Sequence, residues 1–483
     1  MNKQECAIKY VEDNYLQFNR LRHDIIADKL QVRCAHPIGD GLEAKGERQE
    51  QWREMTKHDI NSIVCHAAQE YDANITSREV MTALQSDLIP DVHPLREYVL
   101  SCGEWTEEQP DWIDWVAQQV HVRSGAPDRP SGCRSARVPV DGRSAAPVDN
   151  ATLFSTASTT SDLQQCDPQC SASETIYSEQ RERSKAERLW RGCFKKWFVA
   201  MVASWMKDEV VNLQVLVLIG KQGIFKTTWL EHLIPPHLRA YACKLANSND
   251  LNKDERLRIA EFGLISLDEI DSMNNRELNQ LKSVITATDV NERAAYAYTK
   301  ERRVRLASFC ASGNRRDFLT DITGNRRWLP FEVESIQNPF TTILPYERMY
   351  AQAWALAQDP LFSYWFDLEE IEVLEQHNQY FRDESNEEQL LPILFDVPAE
   401  ERGEFMTTAQ ISERLVTYGN IKKPMALCRL GTVLGKAGFR AVTRNAGGGR
   451  ARGWIVYQRD NDEIKALRRL LKDETSQLDT AIY

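Results

Sequence analysis

Two short stretches hold residue types that suit phosphate chemistry. The first is Leu213–Thr228, LQVLVLIGKQGIFKTT. VLVLI reads as a short buried strand that ends at Gly220. GKQGIFKTT comes next, then an amphipathic stretch, WLEHLIPP. Strand, glycine-containing loop, Lys-Thr and helix is the order of a P-loop. The order matters because backbone N–H groups of the loop and the helix start surround phosphate oxygens. Gly220, Gln222, Gly223, Lys226, Thr227 and Thr228 are then the residues expected to bind ATP. Lys226 would set its ammonium against the β- and γ-phosphates, and Thr227 would place its hydroxyl on Mg2+. The usual pattern has glycine where Phe225 stands, and a positive φ at that position would strain a phenylalanine.

The second stretch is Glu261–Asp271, EFGLISLDEID. LISL reads as another apolar strand, ending in Asp268 and Glu269, the Walker B arrangement. Asp268 would hold the Mg2+ water shell, and Glu269 would orient and deprotonate the attacking water. Acids at the carboxyl end of a strand face the crevice where parallel α/β sheets bind ligands. A third strand-like run, RLASFCASGN, ends in Asn314. AAA+ ATPases carry a polar sensor 1 residue there, between the Walker B acids and the γ-phosphate. TGNRRWLP lies just beyond, and either Arg326 or Arg327 would serve as a finger reaching a neighbouring subunit's nucleotide. Between these signals, NERAAYAYTKERRV alternates like a two-stranded ribbon. Its Lys300, Arg302 and Arg303 would project into the pore of a ring and contact DNA phosphates. An ordinary charged surface hairpin accounts for the same residues.

The elements that must position these groups divide the chain. The fold class expected is an α/β P-loop NTPase core, AAA+-like, with a helical N-terminal domain and a C-terminal winged helix. Residues 1–120 read as helical, with apolar residues three and four apart and Trp105, Trp112 and Trp115 as core anchors. Residues 121–180 hold 23 Ser, Thr, Pro or Gly in 60 positions and read as a flexible low-complexity linker or insertion. Cys166 and Cys170 lie inside it with no second Cys or His pair beside them, which weighs against a metal site. The ATPase core is placed at 181–335, a helical lid region at 336–403, the winged helix at 404–460 and a charged tail at 461–483.

The ordered set GKQGIFKTT, LDEID, LKSVITATDVNERAAY, SFCASGN and LTDITGNRRWLPFEV closely resembles the virulence-associated protein E family of P-loop ATPases. That family comes from mobile elements and prophages and is similar to superfamily 3 and D5-type helicases. The resemblance covers about residues 190–400. It implies a ring ATPase driven by Mg2+ and ATP, acting on single-stranded or forked DNA during replication of a plasmid, phage or integrated element. Residues 1–120 contain no paired-acid strand of the kind polymerising primases need. A primase or an origin-binding protein is therefore expected as a separate chain.

In the C-terminal module, MALCRLGTVLGKAGF suits a packed helix, and FRAVTR and GWIVYQ suit strands flanking a glycine-rich turn. From Ile421 to Arg459 there are nine Lys or Arg and no Asp or Glu. The whole chain carries 60 Lys+Arg against 71 Asp+Glu, a net charge of −11, so this segregation is informative. Arg429 and Lys436 on a recognition helix, with Arg444, Arg450 and Arg452 on a wing, would suit DNA phosphates. A winged helix used for protein contact is the competing reading.

No apolar run approaches the roughly 20 residues needed to span a bilayer, so no membrane partner is expected. The absence of an apolar leader and the scattered cysteines point to the cytoplasm. Two functions stay open. One is an Mg-ATP-dependent DNA helicase or translocase working as a homo-oligomeric ring. The other is a nucleotide-switched DNA-binding initiator, loader or defence protein that does not unwind.

Overall fold

The computed structural model describes residues 2–36, 49–123, 171–245, 253–292, 301–319, 325–398, 403–446, 449–467 and 469. The N-terminal part runs α1 (Lys3–Val11), β1 (Leu21–Asp24), β2 (Lys29–His36), β3 (Gln49–Glu54), α2 (Lys57–Glu70), α3 (Ser77–Leu84) and β4 (Asp91–Val92). The four strands pair in the order β3-β2-β1-β4, antiparallel except for β1 with β4. The three helices share a core with this sheet through Tyr10, Val11, Leu21, Val32, Ile63, Ala67 and Val80.

The expectation of a mostly helical N-terminal domain is corrected here, because a four-stranded sheet shares it with the helices. The helical spacing after Lys3 stops where Asn19 turns into the left-handed region at φ 50°. Beyond it Leu30, Val32 and Cys34 alternate with Gln31 and Arg33, the period of a strand. Thr56 and Thr76 then open α2 and α3 with capping boxes closed by Asp59 and Glu79.

The main body begins with α4 (Pro94–Ser101), α5 (Trp112–Ala117) and β5 (Val120–Val122), which leave the N-terminal core and pack with elements beyond residue 170. Those elements are α6 (Ser171–Met206), β6 (Val215–Gly220), α7 (Lys226–His232), β7 (Ala242–Leu245), α8 (Lys253–Glu261), β8 (Leu264–Leu267) and α9 (Asn275–Thr286). Then come β9 (Asp289–Glu292), β10 (Glu301–Val304), β11 (Ser308–Gly313), β12 (Trp328–Ile336) and α10 (Tyr346–Gln358). The six-stranded sheet has the order β5-β12-β6-β11-β8-β7. All its neighbours are parallel except the edge pair β5 with β12.

Strand β6 is buried along its whole length. Leu216 and Leu218 face a cluster with α6, α7 and α10, whereas Val215, Val217 and Ile219 face one with α8 and α9. Helices therefore cover both faces of the sheet, as the parallel strands of its interior demand. Helix α6 supplies Trp190, Phe194, Trp197, Phe198 and Trp205 to the first cluster, all at most 1% exposed. Of the three tryptophans expected as anchors, Trp105 and Trp112 pack against this cluster, while Trp115 is 40% exposed. Ile113, Val116 and Ala117 fill the buried face of α5 instead.

The expected lid region does not form one helical body. Helix α10 buries Met349, Tyr350 and Ala353 in the main core. Of the two helices after it, α11 (Leu368–Asn378) packs on β12, and α12 (Asn386–Leu394) gives Leu391 and Leu394 to the C-terminal core. That last part comprises β13 (Phe395–Asp396), β14 (Glu404–Met406), α13 (Thr408–Gly419), α14 (Leu427–Lys436), β15 (Arg440–Ala446) and β16 (Gly449–Gln458). Two helices and the antiparallel β15–β16 hairpin close around Ile411, Leu415, Leu430, Leu434, Trp454 and Val456. Of the stretch expected as a linker, residues 124–170 lie outside the described residues, whereas β5 and the start of α6 are ordered elements within its bounds.

Candidate functional site

Strands β6, β8 and β11 run parallel, so their carboxyl ends emerge on one edge of the sheet. There Gly220, Asn314 and Asp268 succeed one another at the ends of β6, β11 and β8. Gly220 sits at φ 159°, and a side-chain Cβ there would come within 2.5 Å of Val333 O on β12. The loop turns at Gly223, φ 87°, and enters α7 through Phe225 at φ 66°, ψ 18°. The strain anticipated for a phenylalanine at this position is therefore present. Gln222 is exposed and Thr228 half-buried on the first turn of α7.

Lys226 is 7% exposed, so its ammonium is turned into the structure. Its Nζ donates to Gly220 O at 2.8 Å and Lys221 O at 2.7 Å, and reaches Asn314 Oδ1 at 3.3 Å. Burial pushes the Lys226 ammonium below its ordinary range, while the Asp271 and Asp268 carboxylates pull it back up. The lysine of one strand end and the asparagine of another are thus in contact.

Asp268 is the hub of the site. Its Oδ1 accepts from Ser312 Oγ at 2.7 Å and from Thr227 Oγ1 at 3.2 Å, and the two hydroxyls lie 2.9 Å apart. Its Oδ2 pairs with Lys244 Nζ at 2.9 Å. Burial raises the Asp268 pKa, but hydrogen bonds from Lys244 and Ser312 outweigh it, and the carboxyl sits below its ordinary value. Glu269, next in the chain, is exposed in the left-handed region at φ 51°.

Three residues of this cluster were missed by the sequence reading. Asp271 accepts the backbone N–H of Asn314 at 3.1 Å and of Arg315 at 3.2 Å, fixing the turn that carries Asn314. The third acid of LDEID was its only sequence signal. Ser312 lies two residues before Asn314, where strand alternation points it to the same side. Lys244 had no local signal, because it comes from the edge strand β7.

The other expected residues stand apart. Trp328 is in register with Val215, so β12 and β6 start together. Arg326, exposed, and Arg327, half-buried, therefore lie at the opposite edge of the sheet, about 17 Å from the loop by strand rise. Within one chain they are not brought to Lys226. Strands β9 and β10 do form an antiparallel ribbon. Arg302 pairs there with Asp289, and Arg303 lies 3.5 Å from Asp28 and 3.8 Å from Glu261. Lys300 lies outside the described residues. In the C-terminal part Lys436, Arg444, Arg450 and Arg452 are exposed and Arg429 is half-buried. The Arg444 guanidinium sits 5.2 Å from the Phe405 ring centroid.

Among the described residues no helix is long and apolar enough to cross a membrane. Residues 173–387 match the virulence-associated protein E-like domain family. No curated protein matches the chain. Similar solved structures include two of the NrS-1 C-terminal region in apo form. One is 10% identical, with 94% of this chain and 99% of that chain covered and a TM-score of 0.41. Another is 11% identical, with 91% and 98% covered and a TM-score of 0.40.

Proposed function

We propose that the chain, whose residues 173–387 form a virulence-associated protein E-like domain, is an Mg-ATP-dependent ATPase that acts on DNA as a helicase or translocase in the replication of a mobile element. The observation that carries the reading is the meeting of Lys226, Thr227, Asp268 and Asn314 at the carboxyl ends of three parallel strands. The loop from Gly220 to Phe225 turns through positive φ at Gly223 and Phe225, a geometry that lets backbone N–H groups converge on an anion. Lys226, held at the loop by carbonyls, would exchange them for phosphate oxygens.

Thr227 and Asp268 supply oxygen donors only, which suits Mg2+. Among the described residues no group of three His, Cys, Asp or Glu is placed to hold a metal, so the remaining ligands would come from phosphate and water. Bound there, Mg2+ would neutralise charge on the transferring phosphoryl group. Ser312 would hold the Asp268 carboxylate in its orientation, and Lys244 would keep it ionised. Glu269, exposed at the same edge, would take the proton of the attacking water. Asn314, its turn fixed by Asp271, would contact the γ-phosphate beside Lys226.

Arg326 and Arg327 lie far from their own loop, which supports a role at a neighbouring subunit's site in a ring. The helix–helix–hairpin of residues 404–460 would be a winged helix that adds phosphate contacts through Arg444, Arg450 and Arg452. The test is steady-state ATP hydrolysis with and without single-stranded DNA, alongside Lys226→Ala and Glu269→Gln. Hydrolysis that rises with DNA and disappears in both variants is expected. Wild-type turnover no greater than that of the variants would overturn the reading.

A further inference from the structure

The strained Phe225 has a partner that the phosphate chemistry leaves unused. Its ring, on a residue 36% exposed, meets the ring of Phe340 edge-on, with centroids 6.2 Å apart and planes at 81°. Phe340 is 71% exposed. It also meets the His232 ring edge-on at 5.5 Å. Residues 225 and 232 bracket α7, which is about 10 Å long. Phe340 therefore lies alongside the helix, beginning at the residue before Lys226.

This aromatic group is held in place. The Phe340 N–H donates to Asn338 Oδ1 at 3.0 Å, and the N–H groups of Thr341 and Thr342 both donate to Asn338 O at 3.1 Å. That tight turn fixes the ring between β12 and α10. Tyr346 Oη donates to His232 O at 2.7 Å, pinning the end of α7 to α10. His232 Nδ1 bonds Thr228 O at 2.7 Å, which makes it the protonated nitrogen and leaves Nε2 an acceptor in the neutral ring.

We infer that Phe340, with Phe225 and His232, forms the platform on which the base of the bound nucleotide stacks, and that the site favours a nucleotide over bare polyphosphate. A large aromatic ring exposed to this extent loses apolar contact with water when a flat base covers it. An occupant with its phosphates in the loop would have its base within reach of the same helix. His232 Nε2 would accept from an N–H on the base edge. The inference rests on the proposed nucleotide site and names the part of the ligand that the phosphate chemistry left open.

The test is calorimetric titration of the full chain with Mg-ATP and, separately, with Mg-tripolyphosphate, for the wild type and for Phe340→Ala and Phe340→Trp. Phe340→Ala should weaken ATP about 10-fold, the size of one base–aromatic stack, and leave tripolyphosphate unchanged. Phe340→Trp should retain the wild-type ATP affinity. Equal ATP affinity in the wild type and Phe340→Ala, with both ligands still bound, would overturn the platform and leave the nucleotide site standing. A shift of oligomeric state alone in Phe340→Ala would also overturn it and assign the ring to a subunit contact. Absence of binding by either ligand to the wild type would overturn the nucleotide site and the platform with it.

Discussion

Replacing Phe225 by glycine and by alanine tests the loop geometry through the sign of a difference. Both variants lose the ring and its edge-on contact with Phe340. They differ in backbone: at φ 66°, ψ 18° alanine keeps a Cβ in the left-handed region and glycine does not. That conformation costs a non-glycine residue roughly 1–2 kcal/mol. The extra freedom of glycine in the unfolded chain counts about 0.4–1 kcal/mol the other way. Phe225→Gly should therefore be the more stable variant by about 1 kcal/mol, a midpoint about 2–4 °C higher for a body of this size. In a helix interior the order reverses, with alanine ahead by roughly 0.5–1 kcal/mol. Against the wild type, relief of strain offsets a lost aromatic contact worth about 0.5–1.5 kcal/mol, so Phe225→Gly should stay close to it. Thermal denaturation and urea midpoints of the three proteins measure this. If Phe225→Ala matched or exceeded Phe225→Gly, the left-handed turn, and the loop built on it, would be refuted.

Two further outcomes come from one buried and one half-buried polar group. Arg305 is fully buried and donates to the carbonyls of Asn212, Ile285, Ala287 and Ala307, tying the base of the β9–β10 ribbon to the end of α9 and the entry to β6. Arg305→Met strands those acceptors and should cost about 3 kcal/mol in urea unfolding, with a cost under 0.5 kcal/mol arguing that water replaces the guanidinium. His93 caps α4 by accepting the Arg96 N–H at 3.2 Å on Nδ1, and burial pushes its imidazole down to about 4. The folded state resists protonation that the unfolded chain accepts at its ordinary value, so this contribution is present above that value and is lost as pH falls toward 4. Stability measured between pH 6.5 and 4 should decline by up to 1.36 kcal/mol per unit from this group. His93→Asn, which keeps a cap without the titration, should flatten that slope, and an unchanged slope would assign the titration to other groups.

Sequence alone determined the local parts of the site. VLVLI and LISL were legible as strands because they are short runs, apolar but for Ser266, buried on both faces. Lys226 and Thr227 after that loop, and Asp268 and Glu269 after the second strand, are positions set by covalent neighbours. The same holds for the two helices and the β15–β16 hairpin near the C-terminus, where turn residues and apolar spacing lie close together in the chain. The strands of the N-terminal part were hidden because helical spacing on either side masked the alternation of Leu30, Val32 and Cys34. Only the tertiary structure decided which strand ends are neighbours. It set β11 between β6 and β8, which put Ser312 and Asn314 between Thr227, Lys226 and Asp268. It brought Lys244 to Asp268 from the edge of the sheet, and Phe340 to Phe225 from the turn beyond β12. It also carried β5, from before residues 124–170, onto the outer edge of the main sheet. Pairings of this kind depend on strand order and register, which are set by the burial of whole faces rather than by any short run of residues.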